Sequence, residues 1–235
     1  MRHPTVVILS AGMGSRLGRP HPKAMTPLGA GQTIFSRQLG IFRRFQLPVI
    51  VVVGFKKDLI MEADTRVLFA YNADFDTTNT SKSLLCALEN IYDKDVLWIN
   101  GDVVFDGSVI QRMLRADGSL VAVNEAPVGR EEVKYSLDVE GRLDAISKNV
   151  PHPLGEALGI NYLEAAHLET FKQMLRAVGD GDYFEKAMEH LITTYAPVFR
   201  PFRVSGKACI EVDFEVDLKQ ARKMVARWDR QDREK

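Results

Sequence analysis

VVILSAGMGSRLGRPHPKAM, residues 6–25, decides how the rest of the chain is read. The run TVVILS (5–10) is short, continuous and branched, the pattern of a strand buried on both faces. It breaks into a loop holding Gly12, Gly14 and Arg16, and then reaches Pro22-Lys23. Such a loop suits a polyphosphate. Gly12 and Gly14 can take positive φ and let the backbone approach a bulky anion. Successive N–H groups form an anion-binding concavity, and Arg16 and Lys23 add fixed positive charge. Two common phosphate loops fail on spacing. No Gly-Lys pair stands where a P-loop needs one. A dinucleotide fingerprint meets Leu17 at its third glycine, with Gly18 one place late, and the second strand ends in VVVGFKKD without its acidic residue.

Outward from this stretch, apolar runs alternate with helical patterns. PVIVVVG (48–54), RVLFAYN (66–72) and DVLWIN (95–100) read as strands. TIFSRQLGIFRRF (33–45), with Thr33 as N-cap, and TSKSLLCALENI (80–91) read as amphipathic helices. This alternation predicts a parallel sheet with right-handed crossovers. From about residue 119 the texture changes to the strands SLVAVN, VKYSLDVEG, RLDAISKN and EALGINYLE, with a hairpin at VEGRL. Helices around 165–177 and 182–194 follow, then PVFRPFRV, CIEVDF and a final helix from about Asp217 whose mixed-charge tail reads as a solvated end. Without a repeat or a linker, the chain reads as one domain over 1–235, with a nucleotide-binding half (1–118) and an acceptor-binding half (119–235).

The 235 residues are 46% hydrophobic and carry no formal net charge, so a global field toward nucleic acid or an anionic membrane is not expected. Cys86 and Cys209 form no CxxC, and the five histidines form no HxxxH pair. With no apolar leader and no run near 18 apolar residues, a cytoplasmic location is the expectation.

The segment LSAGMGSRLGRPHPKAM resembles the LxAGxGxR signature, followed after a short gap by PK, of the nucleotidyltransferases related to sugar-nucleotide pyrophosphorylases. Leu9, Ala11, Gly12, Gly14, Arg16, Pro22 and Lys23 match, and Ser10 stands where alanine is commoner. WINGDVVF (98–105) looks like the family's strand-end GD, whose aspartate, here Asp102, helps hold the catalytic magnesium. IEVDFEVDLKQA (210–221) is similar to the family's IDxDTPEDLxxA, which places the second metal-holding aspartate at Asp213. There Phe214 replaces threonine and Val216 replaces glutamate. TTNTSKSL (77–84) resembles the base-binding segment, and Lys148 in ISKN matches the lysine that approaches the acceptor phosphate.

The resemblance implies a Rossmann-like three-layer α/β/α nucleotidyltransferase fold with a mixed, mostly parallel central sheet. It further implies Mg2+-dependent nucleotidyl transfer with release of pyrophosphate. Lys23, Arg16 and Asp102 would be catalytic. Leu9, Ala11, Gly12, Met13, Gly14, Ser15, Arg16, Lys23, Asn79, Thr80, Ser81 and Gly101 would bind the nucleotide, and Asp102 and Asp213 the metal. Elementary chemistry agrees, because two carboxylates at separate strand ends can share one hard cation.

For the remaining specificity, the chain looks most like the cytidylyltransferase branch, which uses CTP and small phosphorylated alcohols or phosphonates such as phosphocholine, inositol phosphate or an aminoalkylphosphonate. Lys148, Tyr135, Asn161, Asp182, Tyr183 and Glu185 are the expected acceptor-binding residues, acids and aromatics being suited to a cationic head group. A hexose-1-phosphate uridylyl-, thymidylyl- or guanylyltransferase and a non-catalytic nucleotide-sensing domain stay open as alternatives. Oligomeric state does not show in the sequence, although apolar positions in the second half leave room for a homodimer.

Overall fold

The computed structural model describes residues 1–14, 17–195 and 198–233. Its centre is β1 (Thr5–Ser10), which pairs in parallel with β4 (Val49–Val53) on one side and β6 (Val96–Asn100) on the other. Between them come β2 (Pro27–Gly29), β3 (Gln32–Thr33), α1 (Ile34–Arg44), α2 (Lys57–Ala63), β5 (Leu68–Tyr71) and α3 (Thr80–Leu88). β5 extends the sheet in parallel beyond β4, while β2 and β3 form a separate small hairpin.

After β6 the chain runs through β7 (Val103–Phe105), α4 (Gly107–Met113), β8 (Ser119–Asn124), β9 (Lys134–Leu137), β10 (Leu143–Ser147) and β11 (Gly155–Leu163). It closes with α5 (Leu168–Ala177), α6 (Phe184–Tyr195), β12 (Phe199–Arg203), β13 (Cys209–Glu211) and α7 (Glu215–Arg233). β11 runs antiparallel to β6, β8 and β9. β12 returns in parallel beside β8, and β9 and β10 form the expected antiparallel hairpin. The result is a mixed, mostly parallel nine-stranded sheet.

The alternation of side chains along β1 builds the three layers. Val7 and Leu9 face a core shared with Leu84 of α3, Phe171 of α5 and Met188 of α6. Val6 and Ile8 face the opposite core, with Phe35 and Phe42 of α1 and Ile110 of α4. Both faces are therefore dry, which explains the uninterrupted apolar strands. Thr33 caps α1 through a reciprocal bond with Ser36.

Three expectations need correction. The elements α2, α4, β7 and the β2–β3 hairpin are too short to carry a clear period and were not foreseen. The strand expected over 209–214 stops at Glu211, and the last helix starts at Glu215, two residues early. Nor is that helix a merely solvated end. Leu218, Ala221, Val225 and Trp228 pack with Leu28, Ile34, Val104 and Val212 in a third core. Among the described residues, no helix is long and apolar enough to cross a membrane.

Candidate active site

The connection from β1 leads to β4 on one side, while the one from β5 crosses back to β6 on the other, so the carboxyl ends of β1 and β6 form a topological switch point. A cleft of about 770 Å³ opens there. Leu9, Gly12, Met13, Gly14, Lys23, Asn100, Gly101 and Asp102 line one wall of it.

Backbone packing fixes this wall. Gly101 N–H donates to the Leu9 carbonyl at 2.8 Å. A Cβ on Gly101 would lie 2.5 Å from Ser10 Oγ and 2.6 Å from the Leu9 oxygen, so only glycine lets β6 turn this close to β1. Gly14 has φ +59° and sits against Lys23, as the loop reading requires. Gly12 does not. It lies outside the left-handed region, and a Cβ there would meet no atom within 4 Å. Its missing side chain leaves space toward the cleft. Ser15 and Arg16 lie outside the described residues.

Lys23 begins a 3-10 turn, Lys23–Met25, that sends its side chain across the cleft floor. Its Nζ donates to Asp102 Oδ2 at 2.8 Å and also to Asp213 Oδ1. Burial pulls the Lys23 pKa down, but the charges and hydrogen bonds of Asp102 and Asp213 outweigh it and hold the ammonium above the ordinary lysine value. Asp213 is positioned by the start of α7. The Asp217 carboxylate accepts from the N–H groups of Asp213 and Phe214, at 3.1 and 2.7 Å.

Glu211 joins these acids. Carboxylate oxygens of Asp102, Glu211 and Asp213 all lie within 4.8 Å of one another. Burial, then the charges of Asp102 and Asp213, push the Glu211 pKa well up. The all-oxygen donor set is the kind a hard divalent cation takes. Asp102 Oδ1, buried and without a hydrogen-bond partner among the described residues, is an acceptor such an ion would satisfy. Glu211 was missed in the sequence, although the first acidic position of IEVD falls on it. Glu211 closes β13, and Asp213 follows two residues later, before α7 begins.

The segment 180–185, on the opposite wall, is stitched to the start of α3. Asn79 caps this helix through its side-chain oxygen, donates from Nδ2 to the Gly181 carbonyl at 3.2 Å and bonds Asp180 through its backbone. Thr80 Oγ1 accepts from Phe184 N–H at 3.1 Å. These bonds carry Tyr183, Phe184 and Glu185 to the cleft, where Lys148 Nζ sits 4.9 Å from the Tyr183 ring centroid. Lys148 also reaches Glu131 at 3.4 Å.

Other expected residues do not reach the cleft wall. Tyr135 is 1% exposed and belongs to the core under β9. Asn161 is held on β11 between Trp98 of β6 and Val121 of β8. Ser81 is wholly buried on the inner side of α3, and Ala11 is packed in the core. Asp182 turns back to accept from Gly179 N–H at 2.8 Å. Each lies one or two residues from a lining position without itself reaching the wall.

A glycine-lined loop, a lysine and an oxygen-donor cluster thus meet at the carboxyl ends of the central strands β1 and β6. The chain belongs to the MobA-like NTP transferase domain family, whose sequence profile matches residues 6–190. It is 30% identical to the CMP-5'-(3-aminopropyl)phosphonate synthase of Streptomyces rubellomurinus over 238 residues, which is 92% of this chain and 38% of that protein. The chain spans about two fifths of the length of the curated relatives it matches. Among solved structures it is similar to the CTP:phosphocholine cytidylyltransferase of Streptococcus pneumoniae (TM-score 0.77, 18% identity, 96% of this chain and 100% of that one). It is also similar to the inositol-1-phosphate CTP transferase of T. maritima (TM-score 0.79, 12% identity, 97% of each chain). These structural likenesses fit the three-layer nucleotidyltransferase fold.

Proposed function

We propose that this chain transfers a cytidylyl group from CTP to the phosphate or phosphonate oxygen of a small acceptor. The acceptor oxygen bonds to the α-phosphorus of CTP, the bond from that phosphorus to the bridging oxygen breaks, and pyrophosphate leaves with the electron pair. Both reactants are anionic, so no protein nucleophile is needed. Alignment and charge neutralisation account for the catalysis.

The observation that carries this reading is the convergence of Lys23, Asp102 and Asp213 from three separate segments at the mouth of the glycine cradle. Lys23 neutralises charge growing on the transferred group. Arg16, outside the described residues, is assigned to the triphosphate on its place in the loop. Asp102 and Asp213, with Glu211 beside them, would hold magnesium, which when bound supplies positive charge to the phosphate oxygens. Asn79 positions rather than reads, since its side chain is committed to capping α3 and holding Gly181. Lys148 takes the acceptor's anionic group. The cytidyl preference is supported by the named activities of the relatives above.

The test is a magnesium-dependent pyrophosphate-release assay. It crosses CTP, UTP, dTTP and GTP with phosphocholine, 2-aminoethylphosphonate, inositol 1-phosphate and glucose 1-phosphate. Turnover with CTP and a small phosphorylated alcohol or phosphonate is expected. A preference for UTP, dTTP or GTP with glucose 1-phosphate overturns the cytidyl assignment. No release from any pair favours a nucleotide-sensing domain.

A further inference from the structure

The acceptor side of the cleft has a charge surplus that a phosphate or phosphonate group does not explain. Asp102, Glu211 and Asp213 form the cation cluster, and Asp217 is bonded to the backbone at the start of α7. That leaves Glu132, Glu156 and Glu185 along the described lining, beside Lys148 and its partner Glu131. A purely anionic acceptor would enter a field of its own sign. A zwitterionic one would not.

Glu185 marks where the positive end would lie. It is the second residue of α6 and 8% exposed, yet it lines the cleft. Its Oε2 is buried and has no hydrogen-bond partner among the described residues. A buried carboxyl oxygen without a donor is costly to keep, and the donor it lacks can come from a ligand. Burial pushes the Glu185 pKa up to about 7, with its own backbone N–H and the Lys148 charge pulling the other way. A nearby ammonium would restore its charge.

We infer that Glu185 is a specificity-determining residue that accepts a hydrogen bond from a primary ammonium on the acceptor, while Lys148 takes the acceptor's phosphate or phosphonate. This rests on the transferase reading above and deepens it. The chemistry separates two kinds of cation. A primary ammonium brings three N–H donors and satisfies Oε2. A quaternary ammonium brings charge but no N–H, and leaves that oxygen unpaired.

The test uses the full chain with phosphoethanolamine, phosphocholine and ethyl phosphate, which offer a primary ammonium, a quaternary ammonium and no cation. With CTP, wild-type kcat/KM is expected to favour phosphoethanolamine over both others by about 10–100-fold, the worth of one charge-assisted hydrogen bond. Glu185→Gln is expected to shrink the ratio of phosphoethanolamine to ethyl phosphate by about 10–100-fold, mostly through KM. Equal use of phosphoethanolamine and phosphocholine by the wild type overturns the inference without needing the variant. An unchanged ratio in Glu185→Gln overturns it too. Calorimetric titration of the three acceptors into wild-type protein with CTP and Mg2+ separates the two levels. Selective binding of phosphoethanolamine without pyrophosphate release refutes the transferase reading and keeps the amine site. Turnover without amine selectivity refutes only the amine site, and binding of none of the three overturns both.

Discussion

Lys23 Nζ donates to Asp102 Oδ2 at 2.8 Å and, in the same position, to Asp213. The two aspartates come from segments 111 residues apart in sequence, following β6 and β13, and this one ammonium links them. In the proposed transfer, this ammonium supplies positive charge beside both carboxylates.

Lys23→Ala should therefore lower kcat by about 10²–10³, the usual loss when a preorganised charge contact to the transition state is removed. Pyrophosphate release under saturating CTP and acceptor is the measurement. Undiminished kcat would show that Lys23 only holds the carboxylates together.

The same substitution should change metal binding in the opposite sense. Without Lys23, the carboxylates of Asp102, Glu211 and Asp213 lose their internal counter-charge. Mn2+ affinity without nucleotide, read by electron paramagnetic resonance, should rise in Lys23→Ala. Thermal stability without metal should fall, and Mg2+ should restore it. Asp102→Asn should weaken Mn2+ binding in either background.

Two glycines of the same cradle should behave differently. Gly101→Ala drives a Cβ to within 2.6 Å of the Leu9 carbonyl oxygen, so a loss of about 1–3 kcal/mol in urea denaturation is expected. Gly12→Ala meets no protein atom and should keep or slightly raise stability, by about 0.4–1 kcal/mol. CTP binding should nevertheless weaken, because the methyl group enters the space left for the ligand.

Glu185 should impose a pH dependence on stability. Its pKa is raised from 4.5 in the free side chain to about 7 in the fold. The folded state thus holds the proton more tightly than the unfolded chain. The contribution is fully present below pH 4.5 and is lost as pH rises through about 7. The melting temperature of the wild type should fall across that window, and Glu185→Gln should flatten the fall. A profile identical in both proteins would remove Glu185 as its source.

Much of the architecture was legible because burial on both faces writes itself into composition. β1 and β8 lie at the boundaries that TVVILS and SLVAVN suggest, and α1 starts at the cap that Thr33 predicts. Contiguous motifs were legible for the same reason. Leu9, Gly12, Gly14 and Lys23 are near one another in sequence, and local backbone geometry keeps them together.

Side-chain direction was not legible, because it depends on which partner covers each face. Tyr135 and Asn161 were assigned to the acceptor, yet strand pairing turns Tyr135 into the core and encloses Asn161 between β6 and β8. Glu211 was overlooked because only the antiparallel pairing of β13 with β7 brings its face toward Asp102. Local sequence determined the strand, the cradle and the cap, which depend on φ, ψ and short-range bonds. Tertiary packing decided which carboxylates meet across the cleft, because residues remote in the chain become neighbours only when the sheet and its helices close over them.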